Sequence, residues 1–548
     1  MSIDNRFQLG IVGNVAKPNV VEIVSPRPLP LGTYVEIPFE FANELTGRRE
    51  RHLLVGVVSS TLFRRTVPVS GAAALSSGSI YTEFESELAQ FGVSMVRIVT
   101  DMVDGEIITP RIPPPPNTPV YLASTEVLRR LFSARGEGTI RIGHLLGRPD
   151  VEVRVSMDAL VKHLFVTGTT GSGKSNTVAV LIDRIASEGG MVIVYDVHGE
   201  YANLQPMNSN VVVERVRLAI NPLKIPPRIL ARMIVPEAAA TVQRRLITRA
   251  LNEVRRIFEE ALTNLSRSEA VEFIARNCRD VRFGTDHEEE VTLSELFKQC
   301  LISKVRSLRI SFREAISERS VESLIMKIEE FFEYTPIDFD QPSPVDMLRP
   351  RKILVLDALA LDDEQRDYLL KVVADEVLWF AKSKAAEGRV HPVLFVIEEA
   401  HLFLSSSRDT ASKRSIERLA REGRKFGICL VVVSQRPRNI DTNTVSQIQN
   451  FVFMKLVQEQ DQNTIMNVSD MLTEDLASSL SSLGTGEAIV LGEWVGRFPA
   501  FVKIDKHEGK RVGATPSISR LWRELAALEE RGAEYAVIHE EAYRELIV

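Results

Sequence analysis

Apolar residues along the chain change rhythm several times. Up to about residue 125 the apolar runs are short and rich in β-branched residues: FQLGIVGNV, VVEIVSP, TYVEIPFE and HLLVGVVSS, divided by Gly, Pro and Asn. This pattern predicts a small all-β barrel over residues 1–125. The stretch PRIPPPPNTPVYLAS (110–124) predicts a stiff, polyproline-like linker that cannot join a sheet, and the domain boundary falls there. Beyond it, HLFV and MVIVYD (191–196) read as buried strands flanking KSNTVAVLIDRIASE, whose apolar residues recur at helical spacing. Residues 126–205 therefore begin an α/β core. Residues 206–345 are mostly helix-forming, as in RRLITRALNEVRRIFEEALTNL and VESLIMKIEEFFEY, and predict a helical insertion domain. Alternation resumes over 346–514. It runs through KILVLDA, a helix over about 362–385, VLFVIEEAH, a basic helix, ICLVVVSQRP, NFVFMKL and a hairpin of GEAIVLGE with RFPAFVKID. Such apolar strands alternating with helices predict a mostly parallel sheet covered on both faces. Residues 515–548 predict an amphipathic helical tail. Its stripe of Ile518, Leu521, Trp522, Leu525, Leu528 and Ala533 needs a cover, expected to be a neighbouring subunit.

Composition adds limits. A chain of 548 residues exceeds the roughly 250–300 residues at which a single core stops growing. The apolar share of 44% and charged share of 26% are those of a soluble globular protein. A net charge of −6 excludes a general polyanion-binding surface, so any nucleic-acid contact must be a local basic feature. Cys278, Cys300 and Cys429 are widely spaced without a metal-ligand pattern, and predict buried thiols in a reducing cytosol. No apolar run reaches the roughly 18–20 residues that span a bilayer, and MSIDNRFQLGIVG is not a signal peptide. The expectation is a cytoplasmic protein with no membrane partner.

Chemistry concentrates in a few stretches. GTTGSGKS (168–175) fits G-x-x-x-x-G-K-[ST], with Gly168, Gly173, Lys174 and Ser175 in the fixed places. Glycines let backbone N–H groups curl round phosphates, Lys174 neutralises the β/γ oxygens, and Ser175 offers a hydroxyl to Mg²⁺. A nucleotide site is expected here. VLFVIEEAH ends an apolar strand in paired acids, predicting Glu398 on the metal side and Glu399 as general base for the attacking water. Gln435, at the tip of VVVSQRP, is a candidate γ-phosphate sensor. The basic run KRSIERLAREGRKFG (413–427) is expected near the carboxyl edge of the sheet, where open α/β sheets bind ligands. Arg424, then Arg421, are its candidates for reaching a neighbour's γ-phosphate. VYDVHGEY (194–201) ends a strand with Asp196, His198 and Glu200, a loop expected to order the γ-phosphate or the Mg²⁺ water shell; Tyr201 is expected to be packing.

GTTGSGKSN, YDVHGEY, VIEEAHLFL, REGRKFG and VVSQRP, in this order around a helical insertion, resemble the HerA helicases, hexameric DNA translocases of the HerA–FtsK group. The N-terminal FQLGIVGNVAKPNVVEIVSPRPLPLGTYVEI resembles that family's small HAS barrel. The resemblance implies an α/β fold with a RecA-like P-loop ATPase core and an ATP- and Mg²⁺-dependent homo-hexamer. It further implies pumping of double-stranded DNA through the ring pore in end resection and double-strand break repair, with a NurA-type nuclease as partner. By residue it implies nucleotide contact for Gly171, Ser172, Gly173, Lys174, Ser175 and Asn176. Metal or water chemistry falls to Asp196, Glu398 and Glu399, and a trans arginine to Arg424. Lys162 and Lys503 occupy places comparable to two further nucleotide contacts. Glu398 stands where such proteins generally carry Asp. The alternatives are a rotary or secretion-type hexameric ATPase and a nucleotide-gated scaffold for a nuclease.

Overall fold

The computed structural model describes residues 7–43, 48–65, 90–133, 138–237, 239–278, 292–309, 317–496, 498–509, 518–519 and 522–523. The expected tail over 515–548 lies almost entirely outside the described residues; Ile518 and Trp522 are exposed.

The N-terminal strands are β1 (Gln8–Ala16), β2 (Val20–Ser25), β3 (Tyr34–Asn43), β4 (Arg48–Arg65), β5 (Gln90–Val103), β6 (Glu106–Ile108) and β7 (Pro119–Leu122). They run in the order β2-β1-β7-β3-β4-β5-β6, and pairing of β2 with β5 closes a barrel. Closure removes the exposed sheet edges that would otherwise recruit another chain. Alternation of side chains sends Val35 and Ile37 of β3 inward beside Val12, Val21, Ile23, Leu54, Val58 and Val96. Outward-facing Tyr34, Val55, Val57 and Val99 join the core of the rest of the molecule. The Tyr34 hydroxyl accepts the Phe501 amide at 3.1 Å. The proline-rich stretch is not wholly a linker: residues 119–122 form β7 between β1 and β3. Pro119 stands first in that strand, a place where a missing N–H is tolerated.

The second sheet comprises β8 (Thr139–Leu145), β9 (Arg148–Ser156), β10 (Leu164–Thr167), β11 (Met191–Asp196), β12 (Val212–Arg217), β13 (Lys352–Asp357), β14 (Val393–Ile397), β15 (Ile428–Ser434), β16 (Asn450–Phe453), β17 (Glu487–Gly492) and β18 (Ala500–Ile504). Their order is β12-β13-β11-β14-β15-β10-β16-β17-β18-β8-β9. Pairing is parallel from β12 to β16 and antiparallel from β16 to β9. Strands β10, β11, β14 and β16 are buried along their whole length, as parallel strands covered on both faces must be.

Helix α1 (Thr125–Phe132) leads from the barrel, and α2 (Lys174–Ser187) follows β10. Residues 212–217 join the sheet as β12, so the insertion is narrower than 206–345. Its helices are α3 (Pro227–Ile234), α4 (Thr241–Asn264), α5 (Arg267–Asn277), α6 (Leu293–Arg309) and α7 (Glu318–Tyr334). In the run VVERVR, Val213 and Val216 are half-buried while Val212, Arg215 and Arg217 are exposed, because an edge strand is only partly covered. Cys278 and Cys300 are not free thiols but a buried disulfide, Cα–Cα 5.1 Å, joining the end of α5 to α6. Their distance along the chain gave no sign of it, since packing of α5 on α6 creates the proximity. Helix α8 (Asp363–Ala386) begins with a reciprocal cap between Asp362 and Gln365. Helix α9 (Lys413–Glu422) precedes a single tight turn, Gly423–Phe426. Among the described residues no helix is long and apolar enough to cross a membrane.

Candidate nucleotide-hydrolysis site

The phosphate loop emerges from the carboxyl end of β10, in the middle of the sheet between β15 and β16. Gly171 and Gly173 take left-handed φ values of 77° and 107°, which turn successive N–H groups toward one centre. The loop is braced from outside. Thr169 N donates to Lys455 O (2.8 Å), and Gly486 N to Ser172 O (2.7 Å). Lys174 Nζ lies back on the loop, donating to Gly168 O (2.8 Å) and Thr169 O (3.0 Å). Burial lowers the Lys174 pKa, while Glu399, Glu398 and Glu200 oppose that shift.

Beyond β14 stand Glu398 and Glu399, both buried. Glu399 has φ 45°, a left-handed conformation uncommon outside glycine and a local strain often found at functional sites. Its Oε1 accepts from Gln435 Nε2 at 2.8 Å, and Gln435 Oε1 in turn accepts from Thr170 Oγ1 at 2.8 Å. Its Oε2 is buried without a hydrogen bond; His401 Nδ1 is 3.1 Å away but not aligned to donate. A carboxylate oxygen left without a hydrogen bond, on a side chain tied to the loop through Gln435 and Thr170, is the feature a general base requires. Glu398 is held differently. Its Oε1 accepts from the Tyr201 hydroxyl. Burial pushes its carboxyl up to about 8; the Tyr201 bond lowers it, and the Glu200, Glu399 and Asp196 charges raise it. Tyr201 is thus more than packing.

Asp196, fully buried, uses its carboxylate to fold its own loop. It accepts from His198 N (3.2 Å), Glu200 N (3.1 Å) and Tyr201 N (2.8 Å). Burial raises its pKa, and those three bonds oppose the rise. The loop brings His198 Nε2 to 3.7 Å from Glu399 Oε1. The Asn176 side chain is also engaged: Nδ2 donates to Asp505 O (2.9 Å) and Oδ1 accepts from His507 N (2.9 Å). Residues 505–507 are thereby strapped onto α2. Lys503 lies beside the loop, donating to Thr485 O at 2.8 Å, next to the Gly486 that braces Ser172.

Sequence reading missed Thr170, which fills an unspecified position of the motif, and the role of Tyr201. Only the folded loop brings either into contact with an acid or its partner.

The basic run is not where it was expected. Helix α9 descends from the carboxyl edge, where Lys413 pairs with Asp441, to the amino edge, where Gly423–Phe426 precedes β15. Ser434, at the far end of β15, is level with Thr167. At a rise of about 3.3 Å per residue, Arg424 stands roughly 20 Å below its own phosphate loop. Arg421 precedes it at the end of α9. Lys162 is on the same edge, before β10, and pairs with Glu493. A connection that crosses the sheet reverses direction, so a residue between two strands can sit at either edge. Arg424 and Lys425 line a cavity of about 690 Å³ there, with Asp158, Glu188 and His391.

Residues 140–377 match the family model described as "Helicase HerA, central domain". The "DNA double-strand break repair helicase HerA" of Sulfurisphaera tokodaii is 37% identical over 437 residues, covering 79% of this chain and 82% of that protein. The protein of the same name from Saccharolobus solfataricus is 32% identical over 541 residues, covering 96% and 98%. The chain belongs to the HerA family. Among solved structures, VirB4 of Thermoanaerobacter pseudethanolicus is similar with a TM-score of 0.45 and 16% identity, covering 68% of this chain and 97% of that one. The P-loop ATPase fold of this HerA chain rests on its strand order and its phosphate loop.

The ligands that HerA membership implies are a nucleoside triphosphate and magnesium, and the residues present fit both. The glycine loop is open to phosphate, and Lys174 reaches only its own loop carbonyls. Glu200, Glu398 and Glu399 lie close enough to oppose the lowering of the Lys174 pKa, so three acidic side chains border the loop. No cage of three His, Cys, Asp or Glu side chains occurs among the described residues. Magnesium commonly keeps waters and takes one or two protein ligands besides phosphate, and Ser175 with Glu398 would supply them.

Proposed function

We propose that this HerA-family ATPase works as an ATP-driven translocase on double-stranded DNA, assembled as a ring. The observation that carries the hydrolytic half is the chain Thr170–Gln435–Glu399, which joins the phosphate loop to a buried carboxylate with one unused oxygen. Phosphates in the loop draw Lys174 off the carbonyls of Gly168 and Thr169. Glu399 takes the proton of the attacking water, and Gln435 holds Glu399 in register with the loop. Magnesium, when bound, neutralises phosphate charge beside Ser175 and Glu398. Asp196 shapes the loop that presents His198, Glu200 and Tyr201. Arg424, too far from its own loop, stabilises developing charge on a neighbouring subunit's γ-phosphate; Arg421 and Lys162 share that edge, and Lys503 serves the near one.

The names of the relatives support DNA as the track and double-strand break repair as the setting. The finer reading is a homo-hexamer with duplex DNA in its pore and a NurA-type nuclease as partner. An acidic chain can still do this. A ring exposes DNA only to its inner wall, where a few basic residues recur in every subunit. Sequence-independent phosphate contacts suffice for translocation. The test is ATP hydrolysis with and without duplex DNA over a salt series. Stimulation whose DNA affinity falls log-linearly with salt supports the reading. Turnover indifferent to duplex DNA would turn it toward a rotary or secretion-type ATPase.

A further inference from the structure

The turn that carries Arg424 is fastened at both stems by one side chain from another part of the sequence. His163 is buried, 1% exposed, and directly precedes β10, the strand of the phosphate loop. Its Nδ1 lies 3.1 Å from Leu430 N and its Nε2 2.7 Å from Ala420 O. A backbone N–H can only donate, so Nδ1 is the acceptor and carries no proton. The proton is on Nε2, which donates to the carbonyl. Ala420 is in the last turn of α9, where carbonyls lack intrahelical partners. Leu430 is in β15. The imidazole therefore bridges the chain just before and just after Gly423–Phe426.

The ring is itself held in place. His163 has φ 63°, a strained conformation for a non-glycine residue. Asn450 Nδ2 secures it by donating to His163 O (2.9 Å) and Ala159 O (2.8 Å), while Asn450 Oδ1 accepts from Trp494 N (3.1 Å). Burial, with the nearby Arg424 charge adding to it, holds the imidazole pKa below its ordinary value against the opposing pull of the Ala420 bond. The ring stays in the neutral form that both hydrogen bonds require.

We propose that His163 is a positioning residue that couples a subunit's own phosphate-loop strand to the Arg424 turn it presents to its neighbour. Strand β10 has His163 at its foot and the phosphate loop at its head. A small shift of β10 on nucleotide binding moves the imidazole, and with it both stems of the turn. The inference rests on the reading of Arg424 as acting across a subunit interface.

Two substitutions separate positioning from simple support. Asn must hold the same backbone conformation as His and can still accept the Leu430 amide, but is too short for Ala420. Gln can extend an amide N–H to Ala420. In the whole protein, His163→Asn should still fold, with a modestly lower melting temperature, and keep its KM for ATP while kcat falls on the order of 100-fold, the loss that a misplacement of about 1 Å can cause. His163→Gln should recover most of that loss. His163→Asn with Arg424→Ala should be no slower than Arg424→Ala alone. Mixing His163→Asn with Glu399→Gln protein should restore turnover at interfaces that pair an intact base with a held arginine. Wild-type kcat in His163→Asn, equal losses in Asn and Gln, or no recovery on mixing would overturn the inference. Wild-type turnover in Arg424→Ala would instead overturn the reading beneath it.

Discussion

Gln435 and Glu399 are joined by a 2.8 Å hydrogen bond that orients the carboxylate from a neighbouring strand end. Because Gln435 also accepts from Thr170, the contents of the phosphate loop and the aim of Glu399 are mechanically linked. Gln435→Ala should lower kcat by about 10–100-fold with little change in nucleotide affinity, and Thr170→Val should do the same more weakly. Single-turnover hydrolysis beside nucleotide titration separates the two effects. A loss of affinity matching the loss of rate would contradict the link.

Lys174 and Glu399 should fail in different ways. Lys174→Ala should weaken nucleotide binding or turnover, since the side chain meets phosphate charge. Glu399→Gln should bind nucleotide normally and lose hydrolysis, since the carboxylate acts on water in the transition state. Binding losses of similar size in both variants would reverse the roles.

Glu398 predicts a pH-dependent stability in the nucleotide-free protein. Its carboxyl is raised by burial from 4.5 to about 8. Between those values the folded state binds a proton that the unfolded state has released. Its contribution to stability is therefore complete below about pH 4.5 and is lost as the pH climbs toward 8. Glu398→Gln should escape that decline, so its melting temperature should gain on wild type by a few degrees between pH 5 and pH 9. A constant difference across this range would refute the assignment.

Arg424→Ala should assemble and bind ATP but hydrolyse it poorly. Because Arg424 lies at the edge of the sheet opposite its own loop, mixing with Glu399→Gln subunits should restore turnover at interfaces that combine an intact acid with an intact arginine. No recovery at any mixing ratio would refute an action of the arginine across the interface.

The Cys278–Cys300 bridge closes a loop over a sequence separation of 22, worth about 3 kcal/mol in loop-closure terms. Denatured, unreduced protein should titrate one thiol, Cys429. Cys278→Ser with Cys300→Ser should lower the melting temperature while leaving nucleotide affinity unchanged. Three titratable thiols in the unreduced protein would show that the bridge does not form.

What the sequence determined by itself was local. Gly168 to Ser175 specify a phosphate loop because its chemistry depends on contiguous backbone and one lysine. Continuous apolar runs ending in Glu398 or Gln435 specify buried parallel strands with polar tips, because covering both faces leaves only the strand end for chemistry. The all-β N-terminus and the helical insertion were legible for the same reason: periodicity is a short-range property. The tertiary structure decided whatever depends on which strands are neighbours. It placed the Arg424 turn at the opposite edge, folded residues 119–122 into the barrel and VVERVR onto the sheet edge, and paired Cys278 with Cys300. It also turned Tyr201 toward Glu398 and set His163 between Ala420 and Leu430. Each of these is a contact between segments distant in sequence, and the energy that selects it comes from covering apolar surface and satisfying buried polar groups across the sheet, where no local pattern records the partner.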